Sequence, residues 1–233
     1  MTPPFTQGRL KVVTSEKEHS MERKKAFIYT GGPVFDEYVI EKPEKDDLII
    51  AADAGYLTAK RMGVTPDILL GDFDTLGAEN IPDGIECMRV PAEKNDTDTQ
   101  LAVQVAIERG ASEIVIVGGL SGRLDHTLST LAILENLWER KEGRIYAILT
   151  DGKNRVRFIR SSGAILPRSQ YRFFSLIAAD ELVKGVSLDG CKYPLKSGRI
   201  SRRHQWAVSN EIVGNCALIE ISRGGVWVIE SMD

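Results

Sequence analysis

This sequence predicts an α/β fold in two parts: an N-terminal Rossmann-like domain on a mostly parallel sheet, then a C-terminal all-β sandwich domain. Three observations carry that prediction. Short apolar runs alternate with helix-spaced segments as far as Asp151. Two of the runs, Leu48-Ile49-Ile50-Ala51-Ala52 and Ile114-Val115-Ile116-Val117, have no polar alternation. Strands buried on both faces read this way, as in a parallel sheet covered by helices. Beyond Gly152 the helical spacing stops, and short strand-like runs follow one another between Gly, Pro, Asn and Asp.

In chain order, residues 1–20 carry Pro3-Pro4 and Gly8 without apolar periodicity or the continuous apolar core of a secretory signal. They read as an extension or tag, probing no further than Met21, where the α/β domain (21–151) begins. Its strands are expected at Ala26–Tyr29, Leu48–Ala52, Ile68–Leu70, Glu86–Val90, Glu113–Val117 and Ile145–Leu149. Helices are expected over 98–109 and over 126–140, the latter for its Leu128, Leu131, Leu134, Leu137 and Trp138 stripe. The second domain (152–233) is expected to hold strands at Val156–Arg160, Tyr171–Ile177, Leu182–Leu188, Trp206–Val208, Ala217–Ile221 and Val226–Glu230.

Composition narrows the function. A chain of 233 residues, 42% of them hydrophobic, can bury a substantial core. Its net charge of −3 offers no basic field for nucleic acid, and no apolar run approaches the roughly 18 residues of a membrane span. Cys87, Cys191 and Cys216 form no CxxC pair. That pattern fits a reduced, cytoplasmic protein without structural zinc.

Polar residues gather at the predicted strand ends, where ligands of α/β sheets bind. Asp53-Ala54-Gly55 follows the second strand; Asp53 either faces a ligand or caps the next helix. Gly71-Asp72-Phe73-Asp74 follows the third. Carboxylates two apart share one side of an extended chain and suit Mg²⁺, a hard cation that completes its shell with water and phosphate oxygens. A solvated turn has the same look. Lys94-Asn95-Asp96-Thr97-Asp98-Thr99-Gln100 leads into a helix, and Thr97 with Gln100 fits a capping box. Gly118-Gly119-Leu120-Ser121-Gly122-Arg123-Leu124-Asp125-His126 supplies backbone N–H groups and a guanidinium fork for phosphate, while Asp125 could equally cap a helix. The G-K-[ST] ending of a Walker A loop is absent. Four such groups on successive strands of one sheet suggest phosphoryl or nucleotidyl-type transfer.

These residues resemble the thiamine pyrophosphokinase family. The likeness rests on Ala52-Asp53-Ala54-Gly55, Pro66 through Thr75, Lys94 through Asp98, Gly119 through His126, Phe174 through Ile177, Gly190 through Leu195 and Val208 through Glu211. It spans about residues 26–230 in the family's order. The resemblance implies an ATP-dependent transfer of intact pyrophosphate onto thiamine, giving thiamine diphosphate and AMP, in a homodimer with sites at the subunit interface. It implies Mg²⁺ and catalytic acids at Asp72, Asp74 and Asp98, with Arg123 and Asp125 near nucleotide and thiamine. Asp53, Lys94, Thr97, Gly119, Gly122 and Arg123 are then expected around ATP and its phosphates. Asp125, Ser209, Asn210 and Trp206 are expected around thiamine, although the pattern leaves Trp206 and Trp227 both open for stacking. Asp98 and Asp125 both remain open as the base. Asn95 stands where many bacterial members carry an acid, so no metal role is given to it. A pterin-alcohol pyrophosphokinase and a non-catalytic thiamine or nucleotide sensor are the competing readings.

Overall fold

The computed structural model describes residues 24–72, 84–90, 96–141 and 143–233. Six parallel strands carry the N-terminal half: β1 (Lys25–Tyr29), β2 (Leu48–Ala52), β3 (Ile68–Gly71), β4 (Glu86–Arg89), β5 (Glu113–Val117) and β6 (Tyr146–Thr150). Helix α1 (Gly55–Arg61) follows β2, α2 (Asp98–Glu108) precedes β5, and α3 (Leu124–Lys141) joins β5 to β6. Every one of the six strands foreseen here exists, shifted by a residue at most.

The helices lie on both faces of this sheet. Ala102, Val105 and Ala106 of α2 and Ile133, Leu134 and Leu137 of α3 pack with Ile28, Ile50, Ile68, Leu70, Ile114 and Ile116. Ala59 of α1 packs on the opposite face with Phe27, Tyr29, Val115 and Val117. Alternate residues of β1 and β5 thus feed two different cores, which is why their sequences lack a polar face.

The second half adds β7 (Asn154–Arg160), β8 (Gly163–Pro167), β9 (Phe173–Ala178), β10 (Leu182–Asp189), β11 (Leu195–Ser201), β12 (Asn210–Glu211), β13 (Cys216–Arg223) and β14 (Gly225–Ser231). Here the architecture differs from two separate sheet systems. The order β12-β9-β14-β7-β6-β5-β1-β2-β3-β4 makes one ten-stranded sheet, and β11-β10-β13-β8 makes a second, antiparallel one. The join is β6 with β7, antiparallel through Leu149 with Val156 and Thr150 with Arg155. A tight turn at Asp151-Gly152 makes it possible: the Asp151 carboxylate accepts from the backbone N–H groups of Lys153 and Asn154. The chain therefore adds the next strand to the existing edge instead of starting a new sheet.

Leu176, Ala178, Val226 and Val228 of the long sheet bury one face against Leu166, Val183, Val186, Ile200, Ile219 and Ile221 of the short one. The run expected as a strand at Trp206–Val208 is irregular, and pairing begins two residues later at Asn210. Strands β8 and β11 had no counterpart in the sequence reading.

Candidate active site

The carboxyl ends of β1, β2, β3, β5 and β6 lie along one edge of the long sheet, because these strands are parallel neighbours. The N-termini of α2 and α3 stand at the same edge, since α2 runs back to the start of β5 and α3 leaves from its end. Positive helix ends therefore collect there, an arrangement suited to phosphate.

The loops at this edge touch each other. After β1 come Thr30-Gly31-Gly32, whose placement went unnoticed in the sequence. Thr30 donates through Oγ1 to the Val117 carbonyl at 3.2 Å, and Thr58 of α1 donates to the Thr30 carbonyl at 3.2 Å. The Gly119 N–H donates to the Gly31 carbonyl at 3.3 Å. Gly118 has φ +95°, and a Cβ there would lie 2.9 Å from Thr30 Oγ1. Gly32 has φ +105°, and its Cβ would lie 3.3 Å from the Ser121 carbonyl. Only glycine lets two loops approach in this way. The signal that could have found the β1 loop was its form: a second glycine pair directly after a buried apolar run.

Beside that cradle, the Asp53 N–H donates to the Leu70 carbonyl at 2.7 Å, which holds the ends of β2 and β3 together. Asp53 does not cap α1. It takes a left-handed backbone (φ +46°), and Ala54 occupies the cap position without a side-chain bond. A non-glycine residue held in that region is strained, and such strain collects at binding sites. Asp72 is the residue directly after β3 and is partly buried. Asp74 and Lys94 lie outside the described residues.

Thr97 caps α2 as its spacing foretold: its hydroxyl accepts from Gln100 N at 3.2 Å, and Gln100 Oε1 accepts from Thr97 N at 2.8 Å. Asp98 then opens the helix at the shared edge. At α3 the Arg123 guanidinium forks the Asp125 carboxylate, and both side chains are exposed. That bond is the main cause holding the Asp125 carboxyl below the usual carboxylate range. Gly122 has φ +96° and leads into Arg123. His126 is exposed.

Among the described residues no three Asp, Glu, His or Cys side chains converge as a ready metal cage. Magnesium does not require one, because it binds one or two carboxylates and takes its other oxygens from water and phosphate. Asp72, at the carboxyl end of β3 and two strands from the glycine cradle, has that donor chemistry.

Ser209, Asn210 and Trp206 sit elsewhere. Asn210 begins β12, the far edge of the long sheet. With Phe174, Leu188, Tyr193, Pro194, Leu195, Trp206, Ala207 and Val208 it lines a cleft of about 270 Å³. Trp206 is 46% exposed there. Ser209 has φ +56°, donates its N–H to Ser175 Oγ at 3.0 Å and keeps its side chain at the surface. Trp227 is committed differently: Nε1 donates to the Leu131 carbonyl, and the ring packs edge-on to Phe158.

The sequence profile described as "Thiamin pyrophosphokinase, catalytic domain" matches residues 41–147, and "Thiamin pyrophosphokinase, vitamin B1 binding domain" matches residues 164–226. The chain is 27% identical over 195 residues to thiamine pyrophosphokinase of Bacillus subtilis, covering 82% of this chain and 90% of that protein. The crystal structure of the Bacillus subtilis thiamine pyrophosphokinase superposes with a TM-score of 0.80 at 25% identity, covering 90% of this chain and 100% of that one. The Geobacillus thermodenitrificans thiamin pyrophosphokinase gives 0.78 at 28% identity, with 90% and 98% covered.

Proposed function

The chain belongs to the thiamine pyrophosphokinase family, and we propose that it transfers an intact diphosphate from ATP to the primary hydroxyl of thiamine. The hydroxyl oxygen bonds to the β-phosphorus, the bond from that phosphorus to the α–β bridging oxygen breaks, and AMP leaves. The observation that carries this reading is the glycine cradle between Thr30–Gly32 and Gly118–Gly119, with Asp53, Asp72 and Arg123 following β2, β3 and β5 at the same sheet edge.

In this reading Arg123 and the N–H groups of Gly31 and Gly32 take the charge on the phosphate oxygens, while those of Thr30 and Gly119 hold the two loops together and that of Gly118 donates to the Thr150 carbonyl. Asp72, Asp98 and Asp74 would hold Mg²⁺, which when bound neutralises charge on the transferring phosphates. Lys94 belongs to the phosphate set. Asp125 or Asp98 accepts the hydroxyl proton. Cys87, Cys191 and Cys216 are free thiols, in keeping with a cytoplasmic location. Among the described residues no helix is long and apolar enough to cross a membrane.

The thiamine cleft belongs to the β12 edge, and the distance is large. Eight strand spacings separate β3, which leads to Asp72, from β12, which starts at Asn210. At about 4.8 Å each, that is roughly 38 Å along the sheet. Even β5, which leads to Arg123, lies five spacings from β12, or about 24 Å. In-line transfer needs reacting atoms about 3–3.5 Å apart. A two-fold homodimer solves this by setting the β12 cleft of one protomer against the cradle of its partner.

The test is product analysis with Mg²⁺ and ATP. Thiamine should yield equal amounts of AMP and thiamine diphosphate, and a pterin alcohol should yield neither. Release of ADP in place of AMP, or transfer to the pterin alone, would overturn the proposal.

A further inference from the structure

The short sheet carries a row of three cations. Lys184 of β10 stands in register with Arg199 of β11 on one flank and with Arg223 of β13 on the other. All three are exposed. None of them makes an ion pair or a side-chain hydrogen bond among the described residues. The two acids just before β10 are engaged elsewhere, Asp180 with Arg160 at 2.7 Å and Glu181 with Arg203 at 3.4 Å.

A β-bulge builds this row. Val183 pairs with Ile200 and both are buried, while Val186, also buried, pairs with Gly198. Three steps along β10 thus match two along β11, and the extra residue turns Lys184 outward beside Arg199. In a regular strand Lys184 would share the face of Val186 and point into the core. Gly185 makes the bulge possible: its φ is +64°, and a Cβ there would lie 2.3 Å from Ser222 Oγ.

Like charges directly opposite each other across a ladder destabilise a sheet. Cations confined to β11 would be ordinary protection of an edge strand. Two of these three, however, lie on β10 and β13, the inner strands. In a chain of net charge −3, a repulsive row of this kind fits an anion that bridges it. The row crosses two strand spacings, about 10 Å. A single phosphate carries about two negative charges at most, so a chain of linked phosphates matches the row better in both charge and extent.

We propose that Lys184, Arg199 and Arg223 form a binding site for linked phosphates, on a different sheet from the cradle and independent of the transfer reaction there. The two guanidinium groups fork the outer phosphates, and the Lys184 ammonium neutralises the charge between them.

Calorimetric titration of the full chain without thiamine tests this, with inorganic tripolyphosphate and with ATP as probes. Lys184→Ala/Arg199→Ala should weaken tripolyphosphate binding by roughly tenfold or more, while AMP release with ATP and thiamine stays within about twofold of wild type. The cradle is present in both proteins, so the difference between them reports on the row. Arg223→Ala, at the end of β13, is a second variant and should show the same loss. Lys60→Ala/Arg61→Ala removes the same two charges from exposed positions on α1 and should bind as wild type does. Inorganic phosphate should bind wild type more weakly than tripolyphosphate by roughly tenfold or more. A loss with both probes supports recognition of the phosphate chain alone, and a loss confined to ATP supports a nucleotide as its source. Unchanged binding of both probes in the row variants, an equal loss in the α1 variant, or inorganic phosphate binding as tightly as tripolyphosphate would overturn the proposal.

Discussion

Arg123 holds Asp125 in a two-point grip, Nε to Oδ1 at 3.2 Å and Nη2 to Oδ2 at 2.6 Å, at the very start of α3. Both groups face water, so the pair contributes little to stability and can be exchanged readily. A phosphate that engages the guanidinium would release the carboxylate beside it.

The first prediction follows from that grip. Arg123 depresses the Asp125 pKa, so the carboxylate stays ionised to lower pH than an ordinary aspartate. Arg123→Gln should move the Asp125 titration upward toward the usual range, read by carboxyl-carbon NMR. An unchanged midpoint would show that the fork does not persist in solution.

Tyr29 yields a prediction on stability. Its hydroxyl is fully buried without a hydrogen-bond partner among the described residues, and burial pushes its pKa up to about 12 from 10.0. Above pH 10 the unfolded chain loses this proton while the folded chain keeps it, so stability falls as pH climbs toward 12. Tyr29→Phe should remove that alkaline loss and stabilise the neutral-pH fold by about 1 kcal/mol, since an unpaired buried hydroxyl disappears. Urea denaturation at pH 7 and pH 11 reads both effects; a destabilised variant at pH 7 would contradict the orphaned hydroxyl.

At the head of α2, Thr97→Ala removes the capping bond to Gln100 N and should lower stability by about 1 kcal/mol. Thr97→Ser keeps the oxygen and should stay near wild type. Equal loss in both variants would mean that packing of the Thr97 methyl, and not the cap, is what matters.

Glu230 is 2% exposed and receives Arg155 through two bonds and Arg157 through a third. Glu230→Gln keeps the volume but strands two partly buried guanidinium groups. A loss of about 3 kcal/mol is expected, the range for removing one side of a buried pair. A midpoint shift in urea equivalent to less than about 1 kcal/mol would show that the arginines simply turn to solvent.

How much of this was readable beforehand depends on how local each signal was. Leu48–Ala52 and Glu113–Val117 were placed to the residue because both faces of these strands are buried. The Thr97–Gln100 cap was legible because it lies within four residues. The continuity of the long sheet was not, since it depends on the β6–β7 turn at Asp151-Gly152 and on pairing across 75 residues between Arg155 and Glu230. Trp206–Val208 looked like a strand by its apolar residues, yet all three line a cleft instead of joining a ladder. Asn210 was recognised as a site residue, while the saturation of its amide by Tyr193, Cys191 and Glu211 appears only in three dimensions.

Cradle and cleft lie far apart along one sheet, and subunit mixing measures the consequence of that separation. Arg123→Ala removes the proposed phosphate contact, and Trp206→Ala with Ser209→Ala removes two of the proposed thiamine contacts near the other edge. Each parent alone should be nearly inactive. After exchange, a mixed dimer would carry one site with both halves intact, so AMP release should rise well above either parent toward half the wild-type value per mixed dimer. A monomer at assay concentration, or no recovery after exchange has been demonstrated, would contradict the shared site.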